Sequence, residues 1–215
     1  MGNVWMQRAK MNLFEKSEEK SSFEKARTEW EYKGLEDNQD CVAECELCNH
    51  EEIRYEYRIV NWLNGNEMVV GSECIKKFTD EFEAEFYDMD GNLVNEARLL
   101  KDKAEYLKNV LHKALDTRLA GSTNTFYQSI VKQIKKDGKL SPNQLKYMKQ
   151  FYKTLDDVGQ QAFKSVVKVG LRKAKEKEQI SEMNKWDLQF VAKFMSSEQR
   201  NRLGIKLQET TEQYA

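Results

Sequence analysis

Proline is nearly missing from this chain, with one in 215 residues, and glycine is scarce at ten. Average usage is roughly 5% and 7%, so collagen-like, proline-rich and flexible-linker classes are excluded. Histidine occurs twice. No nucleophile elbow, P-loop, dinucleotide fingerprint or H-E-x-x-H pair is present, and no pair of carboxylates is singled out by its spacing, so the expectation is a protein that is not an enzyme. No apolar run approaches the roughly 18 residues of a membrane-spanning helix. The start, MGNVWMQRAKMNLFEK, has neither the apolar stretch nor the small-residue cleavage site of a signal peptide. A cytoplasmic protein without a membrane partner is expected. Net charge is also lacking, since 35 Lys/Arg meet 36 Asp/Glu.

That balance conceals an asymmetry. Residues 1–120 carry 17 basic and 26 acidic side chains, a balance of −9, whereas residues 121–180 carry 13 and 5, a balance of +8. Any electrostatic partner must therefore be recognised locally. A third of the residues are charged and 40% are hydrophobic, enough apolar material for one sizeable core or two small ones in a mostly helical protein.

All four cysteines lie in one window: Cys41, Cys45, Cys48 and Cys74. In a reducing compartment such clustering reads as metal ligation, and no βαβ pattern surrounds the C-x-x-C pair to suggest redox chemistry. Cys45 to Cys48 forms a knuckle that aims two thiolates at one ion. Ile53, Tyr55, Tyr57 and Ile59 alternate as a half-buried strand should. Asn64-Gly65 is a tight-turn signal, Glu67 to Val70 returns as a second strand, and Ser72 is placed to cap a helix with Cys74 in its first turn. Knuckle, hairpin and helix in this order predict a treble-clef-like structural zinc site. Zinc wants four ligands, and the fourth is open between Cys41, slightly favoured, and His50, which would have to fold back over the knuckle.

The string CELCNHEEIRYEYRIVN…MVVGSECIKKF resembles a family of zinc-binding proteins of bacteriophages and other mobile elements, through Cys45, Cys48, Ile53, Arg54, Tyr55, Val70, Gly71 and Cys74. Similar proteins carry a helical segment with the pattern F-x-x-S-(I/L)…G-x-L-(S/T)-x-x-Q, matched by Phe126, Ser129, Ile130, Gly138, Leu140, Ser141 and Gln144. Some relatives have histidine where Tyr57 stands or cysteine where Ser72 stands. The resemblance implies a zinc site and a phage-like origin, hence the cytoplasm of a bacterial host, and brings no enzymatic activity with it.

Elsewhere the pattern is helical. Residues 1–27 read as an N-terminal helical arm packing through Phe14 and Phe23, residues 28–94 as the zinc-binding α+β module with an added strand near Thr28 to Leu35, and residues 95–215 as a helical domain. Phe78, Phe82 and Phe86 are expected in the core. Glu96 to Leu119 is the longest periodic helix, with Leu100, Ala104, Leu107, Leu111 and Leu115 along one seam; packing within the chain is the first expectation for it, and a homo-oligomer through Leu100, Leu107 and Leu111 the alternative. Thr125 to Lys136 should bury Phe126, Ile130 and Ile134. Gly138 ends that helix, and Ser141-Pro142-Asn143-Gln144 opens the next with a capping box. Val158 to Lys177 reads as one helix, on which Lys164, Lys168, Arg172 and Lys175 share a stripe. Asn184 to Phe194 follows, and Ser196 to Gln199 offers a second capping box.

The fold class expected is α+β, predominantly α: a small zinc module, then a helical bundle. Lys146, Lys149 and Lys153, with Tyr147 among them, and the stripe Lys164, Lys168, Arg172 and Lys175 are the candidate nucleic-acid contacts. Two functions are expected. One is a phage-type accessory protein that binds nucleic acid and uses zinc as a structural brace. The other is a protein-binding effector that inhibits or redirects a host complex or defence system.

Overall fold

The computed structural model describes residues 4–36, 42–80 and 84–208. The protein is α+β and predominantly α, and it forms two compact units, Met1–Tyr106 and Leu107–Ala215. The boundary falls inside the longest helix, whereas the sequence pattern sets the helical domain off at residue 95.

The first unit contains α1 (Val4–Lys16), α2 (Phe23–Arg27), β1 (Trp30–Glu36), β2 (Glu56–Asn61), β3 (Glu67–Val70), α3 (Ser72–Asp80) and the first part of α4 (Glu96–Leu119). The strands form an antiparallel sheet in the order β1-β2-β3, pairing Tyr32 with Ile59 and Ile59 with Met68. Ile53, Tyr55, Tyr57 and Ile59 are all buried, as their alternation requires. The β2–β3 connection is longer than the expected two-residue turn. Asn61 accepts hydrogen bonds from the N–H groups of Leu63 and Asn64 through its side chain, and Gly65 alone takes the left-handed conformation. Trp30, Tyr32, Tyr57, Met68, Val70, Ile75, Phe78 and Phe86 make the core; Phe82 lies outside the described residues. Phe23 is buried as expected, while on α1 the buried positions are Ala9 and Leu13 rather than Phe14.

Helix α4 has the bounds its periodicity indicates, but its buried face turns along its length. Leu99 and Tyr106 are buried, and Leu100 is 58% exposed. The reason is polar. Arg98 pairs with Asp88 and Asp102, both at 3.0 Å, and Tyr32 donates its hydroxyl to Asp102, which fixes which side of the helix faces the sheet. Leu107, Leu111 and Leu115 are buried within the chain, so of the three leucines considered for self-association only Leu100 is exposed.

The second unit holds α5 (Thr125–Asp137), β4 (Lys139–Leu140), α6 (Pro142–Tyr147), α7 (Lys149–Thr154), α8 (Asp157–Val166), β5 (Lys168–Val169), α9 (Ala174–Ser181), α10 (Lys185–Ala192) and α11 (Ser197–Leu203), after the end of α4. Tyr152 is ringed by Phe163, Phe190 and Phe194 at centroid distances of 5.6, 5.4 and 5.8 Å, spacings at which edge-to-face aromatic contacts add to simple burial. On α5 the phase is set by Asn124, whose side chain accepts the N–H of Tyr127. Tyr127, Ile130, Val131 and Ile134 then share the buried face and Phe126 is turned outward, the reverse of the sequence expectation.

The helix expected over Val158–Lys177 is broken. Lys168 donates its N–H to the carbonyl of Gly138, and Gly170 donates to Leu140. These bonds make β5 a parallel partner of β4 and end α8 at Val166. Gly138 permits the approach: it adopts φ 68°, and a Cβ there would lie 2.4 Å from the carbonyl oxygen of Val166.

A threefold internal pattern results. Helices α5 and α8 lead into short strands and α10 into a turn, and each connection then opens a new helix whose first turn is closed by a side chain three residues on. Gln144 accepts the N–H of Ser141, Glu176 that of Lys173 and Gln199 that of Ser196. Val169 also donates its N–H to the carbonyl of Phe194 at 3.4 Å, which ties the turn after α10 to β5. The capping boxes at Ser141 and Ser196 are complete, as their sequences foretell.

Candidate metal centre

The Cys45–Cys48 knuckle is closed by its own backbone. Cys45 donates to the carbonyl of His50 at 2.8 Å, and Cys48 and Asn49 donate back to the carbonyl of Cys45. Asn49 and Glu52 take positive φ values to make the bend, a conformation for which Asn pays little. Glu46 donates its N–H to the carbonyl of Val69, which pins the knuckle to β3. Cys74 sits in the first turn of α3, directly beyond that strand.

The three thiol sulfurs of Cys45, Cys48 and Cys74 lie within 4.8 Å of one another. Tetrahedral zinc–thiolate bonds of about 2.3 Å place sulfurs about 3.8 Å apart, so the cluster has the dimensions of a metal site. Its electrostatics agree. Cys45 Sγ accepts a hydrogen bond from the N–H of Gly71 at 3.3 Å, and Cys74 Sγ accepts one from the indole of Trp5 at 3.1 Å. The Cys45 thiol is lowered by a hydrogen bond from Cys74 and by backbone N–H groups, against the opposing effect of burial. Cys48 is raised, chiefly by burial, and Cys74 is raised because its proton serves Cys45 and because it is buried. A divalent ion would supply the positive charge that lets all three thiols ionise. The donor set fits a thiophilic metal.

Of the two residues weighed as a fourth ligand, Cys41 lies outside the described residues. The ring of His50 is exposed and is not among the mutually close ligand atoms; it is the carbonyl of His50 that bonds the knuckle. A cleft of about 550 Å³ opens beside the cysteines and is lined by Trp5, Arg8, His50, Arg54, Ser72 and Lys77 among others.

Sequence reasoning missed the part played by α1. Asn12 donates to the carbonyl of Leu47 and to Asn49 Oδ1, Lys16 pairs with Glu46 at 2.6 Å, and the Lys77 ammonium stands 3.9 Å over the Trp5 ring. Trp5, Arg8, Asn12 and Lys16 recur at intervals of three or four, and that spacing was the available signal.

The candidate nucleic-acid contacts fall into two groups. Lys146 and Lys149 converge on Asp187 at 3.0 and 2.9 Å and hold its carboxyl down at about 2. Lys153, Lys164, Lys168, Arg172 and Lys175 are exposed, and none forms an ion pair among the described residues. The four expected to share one helical stripe do not, because α8, β5 and α9 divide them. The β4–β5 ladder instead sets Lys168 beside Lys139, with both exposed, and the Lys168 ammonium reaches the carbonyl of Lys164.

Comparison with protein-family models, with curated proteins and with solved structures gives no match. Among the described residues no helix is long and apolar enough to cross a membrane.

Proposed function

We propose that the protein binds nucleic acid through the cationic surface of its second unit, as a phage-type accessory protein whose first unit is braced by a structural, treble-clef-like zinc centre. The observation that carries the first half is the pairing of Lys139 with Lys168 in the β4–β5 ladder. Like charges beside each other in a ladder are destabilising, and no carboxylate is paired to Lys139 or Lys168 among the described residues. A polyanion relieves that repulsion. The zinc reading rests on the three converging sulfurs, with Cys41 as fourth ligand. Zinc is favoured over iron–sulfur chemistry because a knuckle, a hairpin and a helix start carrying three thiolates, with Cys41 added, would make one closed four-ligand site. Salt-dependent retention on immobilised mixed-sequence DNA and RNA tests the proposal, since counterion release makes phosphate binding fall steeply with salt. Absence of retention on both at low salt refutes it.

A further inference from the structure

Two of the three converging thiols belong to the knuckle and the third comes from α3. Helix α1 touches both parts. Asn12 donates to the carbonyl of Leu47, inside the knuckle, and to Asn49 Oδ1, and Lys16 pairs with Glu46. Nearer the start of the same helix, Trp5 donates its indole N–H to Cys74 Sγ at 3.1 Å. The ring is held in place for this bond. Phe23 meets it edge-on at 6.4 Å, and the Lys77 ammonium stands 3.9 Å over its face. Lys77 is three residues beyond Cys74 on α3, so the indole spans a cation and a sulfur that share one helix face. The cleft of about 550 Å³ runs past Cys45, Cys48 and Cys74, and Trp5 lines it with them. The indole therefore stands on the side from which water or a chelator approaches the sulfurs.

We propose that Trp5 is a positioning residue of the metal centre, whose indole N–H orients Cys74 Sγ as a ligand and sets how firmly the ion is kept. The inference rests on the metal reading of Cys45, Cys48 and Cys74 and adds a residue that is not itself a ligand. A thiolate bound to a divalent ion still carries lone pairs, and a donor aimed at them takes up part of their charge and fixes the direction of the sulfur. A cation over the ring face draws on the same π-electrons and makes the indole N–H a stronger donor. Partners of this kind hold ligands in register, and losing one typically lowers metal affinity tenfold to a hundredfold. Tryptophan suits the position chemically. Its ring offers one N–H and no free nitrogen lone pair, so unlike histidine it does not compete for the ion. The rest of α1 is anchored independently, through buried Ala9 and Leu13 and through Asn12 and Lys16, so its docking does not depend on the Trp5 hydrogen bond.

The test compares the full native chain with Trp5→Phe, which keeps an aromatic ring beside Phe23 and Lys77 and removes the N–H. Zinc affinity, measured by competition with a chromogenic chelator, should fall about tenfold to a hundredfold. In the cobalt(II)-loaded proteins, the sulfur-to-metal charge-transfer band should move to lower energy in Trp5→Phe, because a sulfur without its donor holds its electrons less tightly. A ring that served packing alone would leave that band in place. The native protein gives a second reading that needs no variant. On addition of zinc, the indole N–H resonance of Trp5 should shift, while those of Trp30 and Trp62, which are bonded to Ser17 Oγ and to the carbonyl of Thr28, should stay. Native protein that binds neither zinc nor cobalt overturns the metal reading and this inference together. If the native protein binds zinc, then an unmoved Trp5 resonance, or an unchanged affinity or band in Trp5→Phe, overturns the role of Trp5 and leaves the metal centre standing.

Discussion

Asp187→Asn should weaken the second unit and strengthen nucleic-acid binding together. The carboxyl is held at about 2 rather than 3.8, first by its hydrogen bond from Lys149 and then by that from Lys146. At about 1.4 kcal/mol per pH unit this corresponds to roughly 2 kcal/mol. The Lys146 side chain is 47% exposed and that of Lys149 23%, so solvent screening reduces the expected loss to about 1–2 kcal/mol. Asparagine keeps an acceptor for the Asn184 amide, which otherwise bonds Asp187 Oδ2 at 2.8 Å, so the helix start survives. Because the folded-state pKa is depressed, the stabilisation is complete above about pH 4 and fades as pH falls toward 2. Urea unfolding should therefore separate the two proteins at neutral pH and bring them together near pH 2. The two released ammonium groups should steepen the salt dependence of nucleic-acid binding by up to about one unit each. Equal stability at neutral pH with an unchanged salt slope would show that the Lys146–Asp187–Lys149 cluster does not carry the energy assigned to it.

Protein prepared without chelator should hold about one zinc per chain, measured by elemental analysis, and release it as protons compete for the thiolates in acid. Changing Cys45, Cys48 or Cys74 to Ser should lose the metal. Cys41→Ser should lose affinity too, and full retention there with loss in His50→Ala would move the fourth ligand to His50. Gly138→Ala places a Cβ against the Val166 carbonyl at an unfavourable φ and should lower stability by about 1–3 kcal/mol, read as a fall in the urea midpoint. Replacing Ser141 and Gln144 together by Ala removes both halves of an intact capping box and should cost about 1–2 kcal/mol; an unchanged midpoint would mean the box contributes nothing.

Much of the first unit could be read in the sequence because its signals are local. The C-x-x-C knuckle, the alternation from Ile53 to Ile59 and the placement of Cys74 two residues into a helix all lie within about 30 residues. What escaped notice depends on partners far along the chain. Nothing near Lys168 announces that its N–H will bond to Gly138, and without that bond Val166 and Val169 continue a plausible helical face. Asp187 meets Lys149 across 38 residues, so a lysine-rich helix that looks unopposed in sequence is half-neutralised in the fold. The exchange of Phe126 for Tyr127 in the core has a different origin. Either ring satisfies the apolar spacing, and only the Asn124 cap decides the phase. The polar face of α1 was legible in principle, but a helix that mixes apolar and charged positions gives no hint that its partner is the cysteine knuckle.

The most direct measurement of the central claim is the salt dependence of nucleic-acid binding by the native protein and by Lys164→Glu/Lys168→Glu, with thermal unfolding of both. If Lys164 and Lys168 meet phosphates, their removal should weaken binding to every sequence and flatten the slope of log K against log salt by about one unit for each. The melting midpoint should hardly change, because exposed charges are worth well under ~1 kcal/mol each. An unchanged slope accompanied by clear destabilisation would contradict the account and assign these lysines to the fold instead of a nucleic-acid partner.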